Sequence, residues 1–265
     1  MRAPFYGPRH QDDSPSSRDR ASEEDSMSEQ SQWSECGNTL LSRLPVHERN
    51  AAERCFETGS FVAGDFLMRA NRPSEYVFFP LDSVISLVRT LDDGSTIELG
   101  LVGNEGMIGI DVFLEGRTQR SDAIVQSAGS VYRMTSDDLL RQFKSGREFQ
   151  RQLLRYTSAF MAQIAQTAAC NRLHAIEPRL ARWLLMMRDR VASNDIDLTD
   201  RCLSDVLGAR PALASQAVQN LESAGLIRQS RSRHRITISD REGLELSACE
   251  CYEAVRHEYS WTLPH

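Results

Sequence analysis

The chain has 265 residues, a net charge of -6 and 40% hydrophobic residues, enough for one or two buried cores. With 31 Lys plus Arg against 37 Asp plus Glu, it is not a uniformly basic nucleic-acid binder, although the balance leaves room for a local basic face. No apolar run approaches the ~20 residues that span a bilayer, and the first residues lack the apolar stretch of a secretory signal, so a cytoplasmic protein without membrane contact is expected.

Lys144 is the sole lysine. Arginine suits bidentate phosphate and guanine contacts, but such a bias is more commonly the mark of a GC-rich genome. Six cysteines, Cys36, Cys55, Cys170, Cys202, Cys249 and Cys251, are scattered along the chain and read as reduced thiols. No metal site and no cofactor is expected. A Cys249-x-Cys251 pair on one helix would hold its sulfurs about 200° apart, on different faces, so buried, inert thiols are the preferred reading and thiol-based sensing the alternative.

Residues 1–35 hold eight acidic residues against four Arg and few apolar anchors, which describes a disordered acidic tail. A short helix is expected from about Thr39 through LLSRLPVHERNAAERCF. Short β-type runs follow at Asp65–Arg69, Glu75–Phe79, Ser83–Thr90, Thr96–Val102, Asp122–Gln126 and Ser130–Met134. Asp93-Gly94 is a good hairpin turn between two of them, and many short strands at regular spacing predict a sandwich or barrel-like roll. Helical signals return with a cap at Thr135–Asp138 before Leu139–Phe143. A long helix is then expected from about Arg147 to Leu173, with one stripe through Phe149, Leu153, Tyr156, Phe160, Ile164 and Ala168. A second stripe includes Leu154, Met161 and Ala165, so the helix should pack on its own domain and on a copy of itself. A helix over Pro178–Val191 and a polar loop over Ala192–Asp197 come next.

The stretch LSDVLGARPALASQAVQNLESAGLI reads as a helix-turn-helix. Thr199 caps the first helix, Gly208 ends it, Pro211 opens the second and Gly225 closes it. Leu213, Ala217, Val218 and Leu221 should point inward, and Ala212, Ser215, Gln216, Gln219 and Asn220 outward. This second helix holds no Lys or Arg. The strands expected at Leu226-Ile227 and Arg235–Ile238 enclose RQSRSRHR, and residues 199–238 carry six Arg against three acids. The hairpin can therefore supply the phosphate contacts while the helix reads bases; Gln216, Gln219 and Asn220 best match adenine.

The order of parts resembles the Crp/Fnr family of bacterial transcription regulators, over roughly Leu40 to Arg256. The resemblance rests on YVFFPLDSVISL (Tyr76–Leu87), the glycines Gly100, Gly103, Gly106 and Gly109, QTAACNRLHAIEPRLARWLL (Gln166–Leu185), the helix-turn-helix and the tail DREGLELSACECYEAVR. It implies an α+β chain: an N-terminal double-stranded β-helix (jelly-roll) sensor domain at 36–145, a dimerisation helix at 146–174 and a winged helix-turn-helix at 175–260. It also implies a homodimer on a pseudo-palindromic operator, with RNA polymerase and an unidentified small-molecule effector as further partners. The DNA-binding set becomes Thr199, Arg210, Ala212, Ser215, Gln216, Gln219, Asn220, Arg228, Arg231, Arg233 and Arg235. The dimer helix would use Phe149, Leu153, Tyr156, Phe160 and Ile164, and an effector pocket Gly106, Gly109, Arg120 and Ser121.

Departures from the family pattern narrow the reading. Members that bind cyclic AMP carry a Gly-Glu and then Arg-Ser/Thr-Ala; here Arg120-Ser121 is followed by Asp122, whose charge is unfavourable beside a phosphate. An N-terminal cysteine cluster for iron and sulfur is not expected from Cys36 and Cys55 alone, and His47 and His174 have no supporting pattern for haem. Family base-reading positions fall on Pro211 and Ala212, which shifts specificity to Arg210, Ser215, Gln216 and Gln219, or to DNA shape read through the arginine wing. No Walker motif, H-E-x-x-H or G-x-S-x-G is present, and the expected strands of the roll, from Phe61 to Met134, contain no His, so an enzyme is not expected. The rival reading is a sensing module that acts through protein partners with weak or lost DNA binding.

Overall fold

In the computed structural model, which describes residues 37–114, 118–198, 200–232 and 235–262, Asn38 anchors the first turn. Its buried side chain caps α1 (Thr39–Ser42) by accepting from the Leu40 and Leu41 N–H groups, and donates to the Pro80 and Gly106 carbonyls at 2.9 Å each. The single helix expected here is two. Pro45 cannot continue α1 and stands at the N-cap of α2 (Val46–Glu53). The tail at 1–35 lies outside the described residues.

Seven strands build the roll: β1 (Glu57–Phe61), β2 (Phe66–Met68), β3 (Tyr76–Pro80), β4 (Val84–Thr90), β5 (Thr96–Val102), β6 (Asp122–Ser127) and β7 (Gly129–Thr135). They form two antiparallel sheets, ordered β1-β7-β3 and β2-β6-β4-β5. The Asp93-Gly94 turn joins β4 to β5 as expected: Gly94 takes φ +81°, Thr90 pairs with Thr96, and Asp93 accepts from the Ser95 N–H. The strand β1 was not expected, because ETGSF has little apolar alternation and owes its conformation to pairing with β7.

Thr135 caps α3 (Ser136–Ser145) by accepting from the Asp138 N–H, and α4 spans Arg147–Leu173, the bounds its periodicity predicts. Phe149, Leu153, Tyr156 and Phe160 are all but fully buried, against the chain's own roll. The Tyr156 hydroxyl donates to the Met107 carbonyl at 3.0 Å, and the Gln163 amide to that of Leu101 at 2.9 Å. This burial within one chain leaves these four side chains little surface to offer a second copy, although they were expected on the dimer helix. Ile164 is half-buried. The second stripe remains on the surface, with Leu154 46% and Met161 62% exposed and Ala165 exposed beside them; Ala168, the last residue of the first stripe, is exposed as well.

The C-terminal part comprises α5 (Ile176–Val191), β8 (Asp195–Asp197), α6 (Asp200–Leu207), α7 (Pro211–Ser223), β9 (Ile227–Gln229), β10 (Arg235–Ile238), α8 (Arg241–Ser247) and α9 (Cys251–Thr262). Its small sheet runs β8-β10-β9. The polar loop expected over Ala192–Asp197 is thus partly a strand, whose one buried side chain, Ile196, pairs with Ile236. One apolar cluster joins α5, α6 and α7 to Val84 and Leu101 of the roll, so the two halves share a continuous core.

A β-carbon placed on Gly106 would lie 2.4–2.7 Å from the Tyr156 ring. We expect Gly106→Ala to lower stability by about 1–3 kcal/mol through overpacking, and by clearly less in a Tyr156→Leu background, as read from urea midpoints.

Candidate nucleic-acid interface

The turn between α6 and α7 is set by local chemistry. Gly208 adopts φ +53°, which releases the chain from α6, and Pro211 stands in the first turn of α7, where a missing N–H leaves nothing unpaired. Ala214, Ala217, Val218 and Leu221 are buried. Leu213, expected inside, is 56% exposed, and Ala214 takes its place in the core. Both assignments run through Ala217 and Leu221. The observed one puts the smaller side chain where α7 closes on its neighbours.

The outer face of α7 carries Ala212, Leu213, Gln216, Gln219 and Asn220 exposed, with Ser215 half-buried. The Gln216 amide donates to the Asn220 side chain at 3.0 Å, and Asn220 donates to Glu177 of α5 at 2.9 Å. Of the expected base readers, Gln219 forms no such relay and Asn220 is tied back to α5. Arg210 is exposed at the N-cap of α7, and Arg228 and Arg231 are exposed on the β9–β10 hairpin. The hairpin is fastened to α7 where the Gln229 N–H donates to Glu222 at 2.9 Å. Arg235 is paired with Asp197 at 2.8 Å, which leaves it less available to a ligand. Thr199, Arg233 and His234 lie outside the described residues.

The opposite side of this unit rests on the roll. The Trp183 indole N–H of α5 donates to Glu98 of β5 at 3.0 Å, and the Ser86 hydroxyl of β4 donates to the same carboxylate at 2.6 Å. From α6, Asp205 accepts from the Thr96 hydroxyl, and Cys202 faces the Gln126 amide at 2.5 Å. Burial pushes the Cys202 thiol up to about 12, so it stays protonated. Glu98 is 6% exposed; burial raises its pKa from 4.5 to about 7, opposed by the Ser86 and Trp183 hydrogen bonds and by the Arg182 and Arg190 charges. A cavity of about 340 Å³ opens along this joint, lined by Gly64, Phe66, Ser86, Gln126, Cys202 and Asp205 among others.

Residues 178–246 match the model of the Crp-like helix-turn-helix domain, and residues 58–145 that of the cyclic nucleotide-binding domain. The chain belongs to the Crp/Fnr family. It is therefore a DNA-binding transcription regulator of that type. Among solved structures, FixK2 from Bradyrhizobium japonicum is 20% identical with a TM-score of 0.63, over 73% of this chain and 98% of that one. A CRP-family transcriptional regulator of Thermus thermophilus is 18% identical at 0.62, over 72% and 96%. The c-di-GMP-responsive regulator CLP of Xanthomonas campestris is 13% identical at 0.61, over 73% and 99%. At these identities the likeness is one of fold. No curated protein matches the chain significantly. No described helix is long and apolar enough to cross a membrane.

In this Crp/Fnr roll, the residues expected to hold an effector have the following surroundings. Gly106 lies under the Tyr156 ring, and Gly109, at φ +103°, lies against Val77 and Met68. Arg120 is exposed and its carbonyl accepts from Arg89, while Ser121 is half-buried. The Asp122 carboxylate is used locally, accepting from the Ala70 N–H at 2.8 Å.

Because the folded pKa of Glu98 is raised, its contribution to stability is fully present below about pH 4.5 and is lost as pH rises to about 7. We expect Glu98→Gln to flatten the fall in Tm over this range and to melt above the parent chain at about pH 8, where the parent carries a buried charge that costs on the order of 3 kcal/mol. Unchanged pH dependence in the variant would show that the titration lies elsewhere.

Proposed function

We propose that this regulator is a homodimer that reads a pseudo-palindromic operator through two copies of α7, under the control of an effector other than cyclic AMP. The observation that carries the reading is the exposed face of α7, with Arg210 at its start and Arg228 and Arg231 on the hairpin beside it. A helix without cations of its own is adequate for this task. Phosphate contacts from flanking arginines supply affinity and register, and the helix supplies sequence. Gln216 and Gln219 suit the adenine edge, and the exposed Ala212 and Leu213 side chains suit a thymine methyl group. Half-sites one helical turn apart follow from two-fold symmetry. Ser215, Thr199 and Arg233 complete the proposed set, with Arg235 in a lesser role because of Asp197.

The dimer seam would be the second stripe of α4. Leu154, Met161 and Ala165 recur at steps of seven and four, the spacing of a helix packed against its copy, and Ala168, at the end of the first stripe, is exposed beside them. Against cyclic AMP stand the exposed Arg120, the Asp122 charge one residue past Ser121, and Tyr156 filling the space above Gly106. The effector would act by binding one arrangement of the joint around Glu98 more tightly than another, the only way a ligand can shift such an equilibrium.

Two measurements test this. Replacing Arg228 and Arg231 together by Ala should lower the slope of log affinity against log salt by about four, two for each protomer, while Gln219→Ala should lower discrimination between operator and random DNA. Met161→Asp should yield a monomer by sedimentation and lose operator binding; a dimer that persists places the seam elsewhere.

A further inference from the structure

Four side chains that play no part in the DNA-facing surface converge at the end of α4. Cys170 and His174 are one turn apart there, and Cys249 and Cys251 come from the break between α8 and α9. The expectation that Cys249 and Cys251 lie on one helix with their sulfurs on different faces is corrected, whereas both are buried as expected. Since α8 ends at Ser247 and α9 starts at Cys251, the chain turns between them and brings both sulfurs to one side. The donor atoms of the four residues lie within 4.8 Å of one another. We propose that Cys170, His174, Cys249 and Cys251 form a zinc site that clamps the end of α4 to the start of α9.

The spacing matches a single ion. Cys170 Sγ lies 3.5 Å from Cys249 Sγ, and Cys251 Sγ lies 3.4 Å from His174 Nδ1. A tetrahedron with metal–sulfur bonds of about 2.3 Å and a metal–nitrogen bond of about 2.0 Å has edges of roughly 3.5–3.8 Å. An iron–sulfur cluster distributes its thiolates over several irons and spreads them further. Three thiolates with one imidazole form a soft donor set that selects zinc over magnesium or calcium. All three cysteines are buried.

The surroundings fit as well. His174 Nε2 lies 3.2 Å from the Glu250 carboxylate, which orients the ring and leaves Nδ1 free to ligate. The Gln166 amide donates to Cys251 Sγ at 3.0 Å. Three thiolates on a divalent ion leave one negative charge, and the Arg182 and Arg179 charges act on Cys170.

The test is metal analysis of the full chain, purified under reducing conditions from zinc-supplemented cells, followed by cobalt substitution. We expect one zinc per chain, and with cobalt the visible bands of a tetrahedral ion with thiolate charge transfer. Cys249→Ser and His174→Ala should each weaken zinc binding by more than about tenfold, and Cys55→Ser should leave it unchanged. A reduced parent chain that holds no zinc and gives no tetrahedral cobalt spectrum overturns the proposal. So does an iron–sulfur chromophore, or a Cys170–Cys249 disulfide in a chain that takes up no cobalt after reduction. These readouts concern metal alone, so their outcome is separate from that of the operator measurements.

Discussion

The Trp183–Glu98–Ser86 contact is the polar joint on which the arrangement of the two halves depends. A carboxylate removed from water is tolerated only when its oxygens are satisfied, and here one donor comes from the roll and the other from α5. Separation of the two halves would return Glu98 to water and expose the apolar cluster that joins them. Docking therefore couples three things: burial of Val84 and Leu101, the protonation of Glu98, and the position of α5 and the helices behind it. The asymmetry of such contacts matters. Loss of one partner strands a buried polar group, whereas loss of the whole contact is less severe. A joint of this kind tends to be made or unmade as a unit, which suits a sensor that must pass one message.

The long helix is the second constraint. Its large residues, Tyr156 and Phe160, are stacked on each other at 5.8 Å between ring centres and packed over glycines of the roll, where any side chain would collide. This fixes the rotation of α4 about its axis relative to the sensor. The opposite stripe is fixed with it, so a movement of the roll would turn the surface through which a second copy would pack. The roll and the proposed seam would then lie on two sides of one rigid element.

Much of this was legible in the sequence because it is local. The bounds of α4, the Asp93-Gly94 hairpin, the positive φ of Gly208 and the first-turn Pro211 each follow from residues within one turn of the feature. The features that were not legible depend on distant partners. The strands β1 and β8 have almost no apolar pattern and exist because β7 and β10 offer them an edge. The exchange of Leu213 for Ala214 in the core was ambiguous because two stripes share Ala217 and Leu221, and only the closeness of neighbouring helices decides between them. Glu98 gave no signal, since nothing near it in sequence announces Trp183, 85 residues away. The four-residue thiol–imidazole corner was hidden for the same reason, compounded by reading Cys249-x-Cys251 as continuous helix.

The two junctions restrain different motions. Trp183 holds the middle of α5 to the roll, whereas the Cys170–His174–Cys249–Cys251 corner holds the last helix to the end of α4, immediately before α5 begins at Ile176. A metal bond network at that corner would be far stiffer than two hydrogen bonds on Glu98. The weaker junction is then the one that yields, and the stronger one becomes the pivot. Release of Glu98 would let the DNA-binding unit swing about the corner without detaching from α4. That motion changes the distance between two α7 helices in a dimer while leaving each helix and its arginine hairpin intact. The switch would thus act on the spacing of half-sites rather than on the reading of any single base.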